Sequence, residues 1–181
     1  MFRRGVSRSL RRMGRQNVLS MLQHANQLFV SGDYAEAAGA FEQLARGAEE
    51  RYSERAPFLY LEAGRAALLG GQIQAGLAHL RRGLTLLASQ GRYPRMQMLG
   101  GRIVNELNAR GLKNEADEIA SLLNANLPKQ GAPQEAAPAK KPILPTHCPN
   151  CGGALRPDEI EWLDEATAEC AYCGSMVRGE N

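Results

Sequence analysis

No apolar stretch in this 181-residue chain approaches the roughly 20 residues needed to cross a bilayer, because Arg, Gln or Gly interrupts every candidate. A membrane-spanning helix is excluded. The basic N-terminus is followed by no apolar block of the kind a secretory signal carries, so the expected location is cytoplasmic. Cysteine is missing from the first 147 residues, and the four present form two Cys-x-x-Cys pairs. No thiol is left over for a disulfide framework or for thiol chemistry. Histidine is scarce too: His24, His79 and His147 fall in different segments with no matched acid or nucleophile, so no catalytic residues are assigned and the chain is expected not to be an enzyme.

Charge of one sign is missing locally rather than globally. The formal net charge is only +3, yet residues 1–15 hold six arginines and no acid. Residues 16–127 are balanced, 128–147 carry +2, and 148–181 carry −5. Any electrostatic partner therefore has to be matched to a segment. Lysine is rare throughout, at four residues against eighteen arginines, which weakens the arginine-rich start as a signal by itself.

What is abundant is helical periodicity. From Asn17 to Leu127, Leu, Ala, Phe and Ile recur at three- and four-residue steps, as in the stripe Ile73, Leu77, Leu80, Leu84 and Leu87. Pro57 and Pro94 suit first helical turns. Three helix-turn-helix units overlay on the turns Gly32-Asp33-Tyr34, Gly70-Gly71-Gln72 and Gly111-Leu112-Lys113. Each is followed by a small residue and an apolar one: Ala37 and Phe41, Gly76 and Leu80, Ala116 and Ala120. The pattern resembles the tetratricopeptide repeat, most closely at Gly32-Asp33-Tyr34-Ala35-Glu36-Ala37 with Phe41, over about 110 residues. The turns are 39 and then 40 residues apart, longer than that repeat, so longer loops between repeats are expected. The resemblance implies an α-α superhelix of about three helix pairs. It also implies a peptide-binding groove along the first helices, with Asn26, Phe29, Arg65, Arg102, Asn105 and Asn108 beside Leu22, Leu61 and Leu68.

Residues 128–147 switch to Pro, Ala, Lys, Gln and Gly and are expected to form a disordered linker that leaves the flanking modules free to reorient. Beyond it, Cys148-Pro149-Asn150-Cys151-Gly152 and Cys170-Ala171-Tyr172-Cys173-Gly174 flank eighteen residues. Two residues between cysteines let one tight turn aim both sulfurs at a single ion, and the following glycine lets the backbone curl around them. Four thiolates close a tetrahedral shell with no vacancy for substrate, so one structural zinc ion on Cys148, Cys151, Cys170 and Cys173 is expected, with an iron site of the same ligand type as the alternative. The motif looks like a zinc ribbon, with Leu155, Ile160, Trp162 and Ala168 lining one side, and His147 is read as an exposed linker residue. A core this small depends on its metal, and zinc removal is expected to melt the ribbon while sparing the helices.

The expected organisation is mainly α: a basic amphipathic arm at 1–16, a tetratricopeptide-like repeat domain at 17–127, the linker at 128–147 and a small β zinc ribbon at 148–178. The function implied is a non-enzymatic interaction adaptor or scaffold, with a protein or peptide partner in the groove and on the acidic ribbon, a surface that repels phosphate. The alternative is a nucleic-acid-associated regulator working through the arginine arm. That arm also suits an anionic membrane surface, an acidic protein or the chain's own acidic ribbon.

Overall fold

The computed structural model describes the backbone at residues 4–127, 142–156, 160–163 and 166–179, with side chains from residue 17 onward. Six helices come first: α1 (Arg4–Ser31), α2 (Tyr34–Arg51), α3 (Ala56–Leu69), α4 (Ile73–Ser89), α5 (Tyr93–Ala109) and α6 (Lys113–Asn126). A three-stranded antiparallel sheet of β1 (Glu161–Trp162), β2 (Thr167–Glu169) and β3 (Met176–Arg178) follows, in that order, with Ala168 opposite both Trp162 and Val177. Among the described residues no helix is long and apolar enough to cross a membrane.

One turn chemistry repeats four times. Gly32, Gly71, Gly91 and Gly111 all adopt positive φ, which glycine reaches without a Cβ penalty. After each of them the next amide reaches back five residues: Asp33 to the Leu28 carbonyl, Gln72 to Ala67, Arg92 to Leu87 and Leu112 to Leu107, at 2.8 to 3.0 Å. Each glycine amide also bonds three residues back, and together these satisfy carbonyls that a helix end leaves open. The Gly91 turn joins α4 to α5 and was not marked by the repeat overlay. The long repeat spacing comes from helix length: α2, α4 and α5 run to 17 or 18 residues, and the expected long loops are absent, with only 52–55 and 90–92 between pairs.

Packing divides into two adjoining cores. Leu77, Leu80, Leu84 and Leu87 from the apolar stripe are buried with Met96, Leu107 and Ile119 in one of them. At the α3/α4 contact the chains approach closely, since a Cβ on Gly64 would lie 2.7 Å from the Leu80 side chain and 2.9 Å from the Gly76 carbonyl oxygen. The other core joins Leu22, Ala25, Phe41, Leu59 and Tyr60 from the first three helices to Leu144, Cys148, Leu155, Ile160, Ala168 and Val177 from the C-terminal segment. Helix α3 is the hinge between them, with eleven of its fourteen residues buried. Its neighbours are α2, α4 and the sheet-bearing segment, which together leave it little solvent.

This arrangement corrects the expectation of two modules free to reorient, because the cysteine-bearing segment shares a core with the helices. It also moves the linker boundary. Leu144 is buried, His147 pairs with Ala154 in a short bridge, and Leu155 donates to the Thr146 carbonyl, so residues from 142 onward belong to the folded C-terminal segment. Apolar Leu144 among the prolines supplies the physical reason. Most of the linker, 128–141, lies outside the described residues. For the arm, the backbone of 4–16 is continuous with α1, while its side chains, and any contact of theirs with the acidic ribbon, lie outside the described residues as well.

Candidate metal centre

Two turns of identical construction bring the cysteines together. In the first, the Cys148 amide donates to the Gly153 carbonyl at 2.8 Å and the Gly152 amide to the Cys148 carbonyl at 2.9 Å. In the second, Cys170 donates to Ser175 and Gly174 to Cys170, both at 2.9 Å. Gly152 and Gly174 take the positive φ that this curl requires.

The four sulfurs all lie within 4.8 Å of one another. Cys148 Sγ to Cys173 Sγ and Cys151 Sγ to Cys170 Sγ are both 3.8 Å, and no disulfide joins any of them. A regular tetrahedron with metal–sulfur bonds of about 2.3 Å has edges of about 3.8 Å, so the spacing fits one ion held by all four. Cys148, Cys151 and Cys170 are buried and Cys173 is partly so. The protons of so close a set do not spread evenly. Hydrogen bonding with Cys170 and Cys173, then burial, pushes the Cys151 thiol far above its usual range. Hydrogen bonds from Cys151 and Cys170 pull Cys173 well below it. A bound cation is the group that lets all four ionise together. Asn150 supports the outer side, donating from Nδ2 to Ser175 Oγ at 2.5 Å, and Ser175 Oγ lies 3.2 Å from Cys173 Sγ.

Both turns rest on the helices. Gln23 Nε2 donates to the Asn150 carbonyl at 2.8 Å, and Asn26 Nδ2 to the Cys151 carbonyl at 2.9 Å. The second turn meets α3: Arg55 donates to Glu169 Oε1 at 2.8 Å, and the Tyr172 hydroxyl donates to Glu62 Oε1 at 2.9 Å. At the start of α5, Arg92 and Arg95 lie 3.3 and 3.5 Å from Glu161 Oε2, with both guanidiniums over the Phe58 ring. The acids Glu161 and Glu169 are thus matched by arginines of the helical body.

The expected groove residues separate in space. Leu22 is buried in the core shared with the cysteine-bearing segment, and Asn26 bonds to the first cysteine turn. Phe29 packs edge-on to Tyr34 with the Arg65 guanidinium 5.3 Å from its ring centre. Leu61, Arg65, Leu68 and Arg102 line a small cavity of about 70 Å³, closed on one side by Tyr172 and Arg156. Asn105 and Asn108 are exposed. The face expected to receive a peptide is therefore occupied over its α1 and α3 portion by the chain's own C-terminal segment. Of the four ribbon residues singled out, Leu155, Ile160 and Ala168 are buried, and Trp162 is half-buried against the same core. The ring of exposed His147 lies outside the cysteine cluster, with Nδ1 3.1 Å from Thr146 Oγ1.

Sequence reasoning missed Arg55, Tyr172 and Leu144. The signals were present in a helix-starting arginine, an aromatic inside a cysteine turn and an apolar residue between prolines. Comparison with known protein families, with curated proteins and with solved structures gives no match.

Proposed function

We propose that this protein is a non-enzymatic interaction adaptor, in which a tetratricopeptide-like scaffold carries a zinc ribbon whose metal serves structure alone. The observation that carries the reading is the cluster of four sulfurs, all within 4.8 Å of one another and with two of the pairs at the 3.8 Å that tetrahedral zinc–thiolate bonds imply, so that four ligands would fill the shell. A filled shell gives no position for a substrate or an activated water. Three helix pairs closed by the same glycine turn support the repeat likeness, and free thiols held this close suit a reducing, cytoplasmic setting. The residues that bear partners are then those outside the ribbon-covered face.

Native mass spectrometry of protein prepared under reducing conditions tests the metal assignment. One zinc per chain is expected; a stoichiometric iron with visible thiolate-to-iron absorption would replace it, and metal-free folded protein would overturn it. Residues 1–15, with six arginines and no acid, favour the rival nucleic-acid reading. Salt-dependent RNA binding that disappears when those residues are deleted would establish that rival in place of the adaptor.

A further inference from the structure

The four cysteines differ in their access to solvent. Cys148, Cys151 and Cys170 are 2%, 0% and 0% exposed, whereas Cys173 is only partly buried. Cys173 lines a cleft of about 670 Å³, walled by α1, by Tyr52 and Arg55 between α2 and α3, and by its own turn. Cys170 borders a neighbouring cleft but has no exposed surface. A small solute therefore meets Cys173 first.

Polar groups gather around that sulfur. Ser175 Oγ lies 3.2 Å from Cys173 Sγ and Asn150 Nδ2 lies 3.9 Å from it. The Arg55 guanidinium rests against Gly174, the next residue, in the space a Cβ would need. All three side chains line the same cleft. A hydroxyl, an amide and a guanidinium offer hydrogen bonds to an oxygen leaving as an anion. A second sulfur is also within reach, since Cys148 Sγ is 3.8 Å from Cys173 Sγ and belongs to the other turn. Cys151 and Cys170 face each other across the turns in the same way, at 3.8 Å, in the buried half of the cluster. One accessible thiolate with a resolving thiolate beside it is the arrangement of a reversible oxidation site.

We propose that Cys173 is a peroxide-sensing site, at which oxidation forms a Cys148–Cys173 disulfide across the two turns and releases the metal. The proposal rests on the zinc reading above and adds its regulation. In the first step the Cys173 thiolate attacks one peroxide oxygen, the O–O bond breaks, and the hydroxide that leaves takes a proton from solvent to become water. Cys173 is left as a sulfenic acid. The Cys148 thiolate then attacks that sulfur, the S–O bond breaks, and the second oxygen leaves as hydroxide and is protonated to water. Two electrons pass from the two sulfurs to one peroxide. Only Cys151 and Cys170 then remain as ligands, too few to close the shell around zinc.

The test uses the full-length, zinc-loaded chain and one equivalent of hydrogen peroxide, quenched in acid early in the reaction, before disulfides exchange. A chromogenic chelator reads released zinc, and mass spectrometry after alkylation maps the disulfides. One zinc is expected to leave per peroxide consumed, with Cys148–Cys173 as the dominant disulfide. Dimedone present during oxidation is expected to label Cys173 at least tenfold more than any other cysteine. Reductant with added zinc is expected to restore the metal content and the circular dichroism spectrum. A dominant disulfide within either turn, a leading Cys151–Cys170 disulfide, or labelling led by a buried cysteine would overturn the proposal. So would zinc retained by a chain whose cysteines have been oxidised. Metal content measured before peroxide is added separates the two readings: a chain without zinc removes the metal assignment and this proposal together, whereas failure of a zinc-loaded chain removes this proposal alone.

Discussion

Arg55 reaches Glu169 at 2.8 Å, and its guanidinium occupies the space that a Cβ on Gly174 would need. One side chain at the start of α3 thus pairs with an acid of β2 and fills the hollow over the second cysteine turn. The pair is partly exposed, at 21% for Arg55 and 40% for Glu169, so solvent screens it. Arg55→Ala is expected to cost about 1 to 2 kcal/mol, most of it lost packing, and Glu169→Ala about 0.5 kcal/mol. A double-mutant cycle by urea denaturation is expected to return a coupling of about 0.5 to 1 kcal/mol. Zero coupling would reduce the ion pair to a bystander and leave only the packing.

Withdrawing the metal with excess chelator and a reductant is expected to disturb the helices as well as the ribbon, reversing the expectation drawn from sequence. The reason is the common core of Leu22, Ala25, Leu59 and Ala63 with Cys151, Leu155 and Ile160. Amide hydrogen exchange is expected to speed up at least tenfold in the middle of α1 and in α3, and less in α6, whose core meets the ribbon at half-buried Ala171 and Tyr172 rather than at the cysteines. Unchanged protection of α1 and α3 in metal-free protein would contradict the shared core.

Two kinds of glycine predict opposite signs. A Cβ on Gly64 would meet the Leu80 side chain and the Gly76 carbonyl below 3 Å, so Gly64→Val is expected to destabilise by about 1 to 3 kcal/mol. Gly39, inside α2, has nothing within 4 Å of its would-be Cβ, and Gly39→Ala is expected to stabilise by about 0.5 to 1 kcal/mol. Thermal or denaturant melts of the two variants check both directions, and a neutral Gly64→Val would mean that α3 and α4 can separate at little cost.

The helices and the cysteine cluster were legible because both are local signals: a period near 3.6, a glycine just after α1, α3, α4 and α5, and two residues between ligands. The docking of the ribbon was not, because its partners are far apart in sequence, as Arg55 and Glu169 are by 114 positions and Asn26 and Cys151 by 125. One clue was nevertheless local. The run Ala56-Pro57-Phe58-Leu59-Tyr60-Leu61 offers no polar stripe, and a helix apolar nearly all round needs cover on more than the two sides that α2 and α4 provide. Leu144 was passed over for the opposite reason: the prolines around it dominate the composition of the segment.

Gln23 and Asn26 belong to a helix stabilised by its own backbone bonds, and they offer amide hydrogens to the carbonyls of Asn150 and Cys151. The first two ligands are thereby presented by a template outside their own loop. An ion held here would thus be coupled, through the backbone of the first turn, to residues more than a hundred positions upstream of any sulfur.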